Sequence, residues 1–207
     1  MIKPKISYTE NISFEEVLKN DEYNNCRISE NSKNDIVISD ITFDSCIFEN
    51  IDFSNIELKN VDLVDAIFEG CNLSNKSFDN KLLGRVIFKN CKMLGTSFIT
   101  SSLKDVEFNN CVTKYFNFSN AKMNNVVFKD TKLIESTFIE TNIKNIIFDN
   151  VDLTESEIIN TSLKNVDFSN CNIFNIKFDM YSLKGIIIDR FQCENIVGIL
   201  GVQIKDR

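Results

Sequence analysis

A period of five runs through most of this chain, and neither a helix, at 3.6 residues per turn, nor a strand, at two, generates such a period. Stepping by five from residue 43 to residue 188 gives thirty positions, and all are apolar except Thr113. Phe43, Phe48, Phe53, Leu58 and Leu63 open the series, and Phe168, Ile173, Phe178, Leu183 and Ile188 close it. Two residues before the centre the side chain is generally small or β-branched, as at Cys46, Ile51, Ile56, Val61, Ala66 and Cys71. Two residues after it stands mostly Asn, Asp or Gly, as at Asn50, Asn55, Asn60, Asp65, Gly70 and Asn75. Two inward side chains per five alternate across a short extended piece, and Asn, Asp or Gly then accepts a sharp bend. Four such sides close a square coil of about 20 residues that buries its interior only by stacking on its neighbours.

That geometry makes a separate demand: side chains one coil apart must share a character. They do. Phe48, Phe68, Phe88, Phe108, Phe128, Phe148 and Phe168 form one aromatic core column. Leu58, Phe78, Phe98, Phe118, Phe138, Ile158 and Phe178 form a second, with an aliphatic column from Leu63 to Leu183 between them. The sequence therefore predicts an all-β chain, a quadrilateral parallel β-helix over 36–190. Residues 1–35 form an N-terminal cap and first irregular coil, and 191–207 form a tail. Pro4, the one proline, falls outside the array, as a ladder fed by backbone N–H groups requires. At the start, Ser13 and Glu16 have capping-box spacing, so 13–18 (Ser13 to Leu18) reads as a short helix over the first coil.

Composition narrows the chemistry. With no histidine there is no Ser-His-Asp or Cys-His relay and no imidazole metal ligand. The six glycines form neither GxGxxG nor GxxxxGK[ST]. Nothing marks a catalytic, cofactor or metal site, and the chain reads as a non-enzyme. A net charge of −7 lacks the basic footprint of a nucleic-acid binder, so no direct nucleic-acid contact is expected. No apolar run approaches the roughly 20 residues of a membrane span, and MIKPKISYTE is no secretory signal. A cytoplasmic protein with reduced cysteines is expected. Cys26, Cys46, Cys71, Cys91, Cys111 and Cys171 share the small inward position and read as packing, as does Cys193 in the tail.

The stretches NVDLVDAIFEGCNL and NVDFSNCNIFNIKF resemble the pentapeptide repeat family, whose unit is written A(D/N)LXX. The resemblance covers about 36–190 and implies a right-handed β-helix. After Leu183 the chain leaves the repeat. Leu183-x-Gly185-x-x-Ile188-Asp189-x-Phe191-Gln192-Cys193, then Leu200-Gly201-Val202, is similar to the carboxy end of the Qnr quinolone-resistance proteins. Ile196, Val197, Ile199 and Leu200 read as one side of a short helix, closed by Gly201 before a strand of Val202 and Ile204. The resemblance implies a homodimer joined through Phe191, Ile196, Val197, Ile199, Leu200, Val202 and Ile204. It also implies that the rod binds DNA gyrase or topoisomerase IV in the place of duplex DNA and protects it from fluoroquinolones. Projecting loops common in that group have no room here. Residues 29–35 and Val112, Thr113, Lys114 and Tyr115 read as short remnants of them.

Acidity is concentrated. Between 36 and 75 stand Asp40, Asp44, Glu49, Asp52, Glu57, Asp62, Asp65 and Glu69 against Lys59 alone. This reads either as a phosphate-mimicking face toward a topoisomerase, joined by Thr113, Lys114 and Tyr115, or as simple solubility. Lys104, Lys144, Lys164 and Lys184 form a basic column further along, which departs from uniform mimicry. An outward column of Ile47, Ile67, Ile87, Val127, Ile147 and Ile187 reads as strand preference or as a stripe facing a partner. Lys76 and Lys81 stand where small apolar residues belong.

Overall fold

The computed structural model describes residues 1–7, 9–17 and 22–205. It is a parallel β-solenoid of about eight coils, and its strands pair at an offset of one coil. Phe48 pairs with Phe68, then Phe88, Phe108, Phe128 and Phe148 in turn. Backbone donors point both ways along the rod: Phe53 N–H bonds to Asn72 O (2.9 Å), and Asn72 N–H to Ile51 O (2.8 Å). The bend residue takes a left-handed φ nearly every fifth position, from Asn60 (51°) and Asp65 (50°) to Asn160 (50°) and Asn165 (67°). Asn and Asp tolerate this region better than other residues with a Cβ. They also bond down the corners, Asn110 to Asn90 (2.8 Å) and Asn150 to Asp130 (2.7 Å). At Gly70 (φ 67°) a Cβ would run into the Asn50 Oδ1, so the absent side chain leaves room for Asn50.

The interior is the two aromatic columns. Along the first, from Phe48 to Phe168, ring centroids lie 4.5 to 5.4 Å apart at interplanar angles of 6° to 23°. Phe78, Phe98, Phe118 and Phe138 stack likewise at 5.0 to 5.3 Å. Between columns the rings meet edge to face, as Phe98 meets Phe108 (5.8 Å, 83°). Both arrangements suit the aromatic quadrupole, and each pair adds about 0.5–1.5 kcal/mol beyond burial.

The ends carry their own covers. Phe14–Val17 is the expected helix, with the Glu16 carboxylate accepting from Ser13 N–H (2.7 Å); Leu18 lies outside the described residues. Phe14 and Val17 are buried, and the Phe14 ring sits edge-on to Phe53 (6.3 Å). Within residues 1–35 coil pairing holds at Glu22–Asn24 and Cys26–Ile28. Glu10–Asn11 adds a further parallel strand beside Cys26 and Arg27.

Neither suspected loop remnant projects. Residues 29–35 fill one side of a coil, where the Asn31 side chain accepts from Asp52 N–H (2.6 Å) in place of a backbone carbonyl. Thr113 is fully buried, and its hydroxyl donates to Lys132 O (2.7 Å). The volume missing there is filled by Phe116, which occupies the next small site and packs against Phe98, Phe108 and Phe118 at 5.4 to 5.7 Å. Lys76 and Lys81 turn their ammonium groups outward onto Ile56 O (2.8 Å) and Asn60 Oδ1 (2.5 Å). In the last coil Met180–Leu183 forms a helical turn capped by Asp179, so Ser182 is buried where the period placed Tyr181, which is 60% exposed.

The Thr113–Phe116 exchange is testable by chemical denaturation. Phe116→Ser should cost about 3–5 kcal/mol through its cavity, and Thr113→Leu about 1–3 kcal/mol through overpacking. The double variant should cost at least about 1 kcal/mol less than the sum, because one change fills the space the other leaves.

Candidate interaction surfaces

Five residues per side means that acids close in sequence are turned onto different faces. Glu49 and Glu69 lie on the face of Phe48, and Asp52 lies on that of Phe53. Asp40 and Glu57 flank the Leu58 face; Asp44, Asp62 and Asp65 flank the Leu63 face. The acidic residues thus ring the first coils instead of forming one stripe. Several are already partnered. Arg27 pairs with Glu49, Lys59 with Glu57 (3.2 Å) and Lys89 with Glu69 (2.7 Å). Asp40, Asp44, Asp52 and Asp62 are in none of the ion pairs among the described residues; they accept from Asn60, Ser45, Ser54 N–H with Asn72, and Leu82 N–H respectively. The Ser54 N–H bond holds the Asp52 carboxyl below the usual carboxylate range.

Asp65 is different: it is 5% exposed and lies under the chain's own N-terminus. Arg85 grips it through both oxygens at 2.6 Å, and Lys5 N–H donates to it at 2.9 Å. The same segment continues along the rod. Ile2 N–H bonds to buried Asp105 (2.8 Å), and the Lys3 ammonium meets Glu107 (2.5 Å). Residues 2 to 5 therefore run lengthwise over two coil spacings and satisfy three acids that would otherwise add to the outer charge. No spacing rule in the sequence announced this strap.

Of the remaining candidates, Thr113 is interior and cannot touch a partner. Tyr115 is 53% exposed, with the Lys114 ammonium 4.7 Å above its ring and 2.8 Å from Glu135. In the outward apolar column Ile47, Ile67, Ile87 and Val127 are half-buried, while Ile147 and Ile187 are exposed. The column is broken by Glu107 and Asp167.

The tail divides its apolar residues. Arg190–Gln192 is a turn capped by Asp189, followed by a helix at Cys193–Val197 and a second turn at Gly198–Leu200 that ends on left-handed Gly201 (φ 72°). Gln192 donates to Phe168 O (2.8 Å) and Cys171 O (2.7 Å), anchoring the tail to the last coils. Ile196 and Ile199 pack on the chain's own core, and Val197 is half-buried. Phe191, Leu200, Val202 and Ile204 are exposed, Phe191 by 81%. The expected strand of Val202 and Ile204 is not formed, because no neighbouring strand lies beside 202–205 to pair with it.

Six cysteines are buried as expected, but Cys193 is exposed. The buried ones share a task with Ser and Thr at the same position. Most donate to the carbonyl 23 residues earlier, as Cys111 does to Phe88 O (3.3 Å), Thr141 to Phe118 O (2.9 Å) and Thr161 to Phe138 O (2.9 Å), while Cys26 meets the Cys46 sulfur. Burial pushes the Cys171 thiol up, which keeps it a donor.

The Arg85 hydrogen bond comes first in holding the Asp65 carboxyl below its ordinary value, against the opposing effect of burial. A carboxylate with a depressed folded pKa stabilises fully above its unfolded value near 4 and loses that contribution as pH falls through the lower folded one. Asp65→Asn should therefore cost about 1–3 kcal/mol at neutral pH. The melting temperatures of variant and parent should converge as pH falls below about 4 and through the lower folded pKa.

Profiles described as "Pentapeptide repeat region" match residues 61–138 and 121–196, and one described as "Pentapeptide repeats (8 copies)" matches 38–75. No curated protein matches the chain in sequence. Among solved structures, a trypsin-treated variant of QnrB1, a plasmid-mediated fluoroquinolone resistance protein, is 20% identical over 89% of this chain and 99% of that one, with a TM-score of 0.39. HetL, a pentapeptide repeat protein involved in heterocyst differentiation regulation in the cyanobacterium Nostoc, is 14% identical over 81% of this chain and 89% of that one, with a TM-score of 0.47. With family profiles covering most of its coils, the chain belongs to the pentapeptide repeat family.

Proposed function

We propose that this chain is a Qnr-like partner of type II topoisomerase, binding DNA gyrase or topoisomerase IV in the cytoplasm and protecting it from fluoroquinolones. The observation that carries the reading is the outer surface of the first coils, where Asp40, Asp44, Asp52 and Asp62 enter none of the ion pairs among the described residues. A basic DNA-binding saddle is complementary to such a surface, and complementarity of this kind sets association rate and register. The tail supports a homodimer: Phe191, Leu200, Val202 and Ile204 are apolar and uncovered at the end of the rod. The rod acts as an interaction module, with binding and not bond-making as its work.

The ring-like spread of the acids favours a second reading, an interaction module for another partner, and the same surface also suits direct topoisomerase inhibition or toxin immunity. A supercoiling assay with gyrase and ciprofloxacin separates these. Protection predicts that added protein restores supercoiling at drug levels that otherwise abolish it, without slowing the drug-free reaction. Drug-free inhibition shows an inhibitor instead. No effect in either arm, with no gyrase subunit recovered by pull-down, points to another partner. Independently, light scattering should give twice the 23.8 kDa chain mass. Leu200→Asp/Val202→Asp should return the monomer mass.

A further inference from the structure

The same geometry that scatters neighbouring acids gathers distant lysines. Lys104, Lys122, Lys144, Lys164 and Lys184 all point outward from the Leu63 face, and all five are exposed. None takes part in any of the six ion pairs among the described residues. Lys144, Lys164 and Lys184 stand on successive coils, and Lys122 fills the coil where the column reads Asn124. With coils about 4.8 Å apart, the cations extend roughly 19 Å along the rod. The acid on this stretch of the face, Asp105, is 1% exposed and is bound by Ile2 N–H and the Asn125 side chain (3.2 Å). Glu140, on the bordering corner, is the exposed acid beside the stripe.

We infer that this face is a binding surface for the phosphate backbone of duplex DNA. The discriminating observation is what accompanies the lysines. From Ser102 to Asn165 the outward side chains of the face include Asn124, Asn142, Asn145 and Ser162, and none is aliphatic or aromatic, exposed Leu82 and Tyr181 standing one coil beyond either end. Protein interfaces deplete lysine and rest on buried apolar or aromatic anchors, which this stretch lacks. Phosphate contacts are made by Lys, Ser and Asn side chains. A duplex lying along the rod offers one charge per about 1.7 Å, more than enough to engage every lysine. The net charge of −7 does not forbid it. The acidic coils end four coil spacings before Lys144, about 19 Å away and beyond the roughly 10 Å Debye length at 0.1 M salt, whereas Lys104 stands two spacings from them, about 10 Å. The inference does not depend on topoisomerase binding, and its test uses no topoisomerase.

The experiment is fluorescence anisotropy of the full-length protein with labelled duplexes of roughly 20 bp in two unrelated sequences, between about 25 and 200 mM salt. Both duplexes should bind alike, with log K falling against log salt at a slope of about −4. Lys144→Glu/Lys164→Glu should weaken binding at least tenfold and flatten the slope by about two. Lys104→Gln/Lys122→Gln should act in the same direction, and circular dichroism should show both variants melting with the parent. No binding at the lowest salt, or variants that bind as the parent does, would overturn the inference. So would poly-L-glutamate binding through these lysines as tightly as the duplex, which would assign the face to an acidic protein.

Discussion

The rest of the structure depends on one constraint: each inward side chain must sit directly on its counterpart one coil below. The phenylalanine column shows why this is demanding. Rings at 4.5 to 5.4 Å leave no slack for a coil one residue longer or shorter, because a single insertion would turn every later inward residue outward. The left-handed bend every fifth residue and the two-way backbone ladder are what hold that register. The regularity is therefore a condition of having any core, since one coil alone encloses nothing.

Compensations inside the rod follow from the same constraint. Thr113 leaves a space that no distant residue can reach, so the repair has to come from the adjoining side, where Phe116 takes a site built for a small residue. The small inward positions face a second requirement, because carbonyls of the preceding coil point at them. Thr161, Ser156 and Cys111 each place a donor there, on Phe138 O, Leu133 O and Phe88 O. Size explains why these residues are small, and hydrogen bonding explains why so many are Ser, Thr or Cys where Ala would fit.

Period and column identity make the solenoid, its aromatic interior and its corners legible in the sequence, because each follows from spacing alone. What is not legible there depends on contacts that have no period. The strap of residues 2 to 5 is fixed by Asp105, Glu107 and Asp65, some sixty to a hundred residues away. The helical turn at Met180–Leu183 keeps the spacing yet exchanges Tyr181 for Ser182 in the interior. Charge is misleading in an instructive way. Eight acids crowded into 36–75 look like a patch and become a ring, whereas lysines twenty residues apart look dispersed and become a stripe. In a solenoid, proximity along the chain and proximity on a face are nearly opposite properties.

A solenoid also has two open ends, and the two are closed differently. At the start, Phe14 and Val17 cover the first coil from within the same chain, and Glu10–Asn11 extends its ladder by a strand. At the finish, Gln192 satisfies two carbonyls and Ile196 and Ile199 pack inward, yet Phe191, Leu200, Val202 and Ile204 stay exposed, with the Arg190 guanidinium 5.5 Å from the Phe191 ring. A ring 81% exposed at the end of an apolar stack is costly to leave in water. That asymmetry is the physical reason for proposing that the tail, and not the helix at the start, meets a second copy. An end that merely needed closing could have been closed as the first one is.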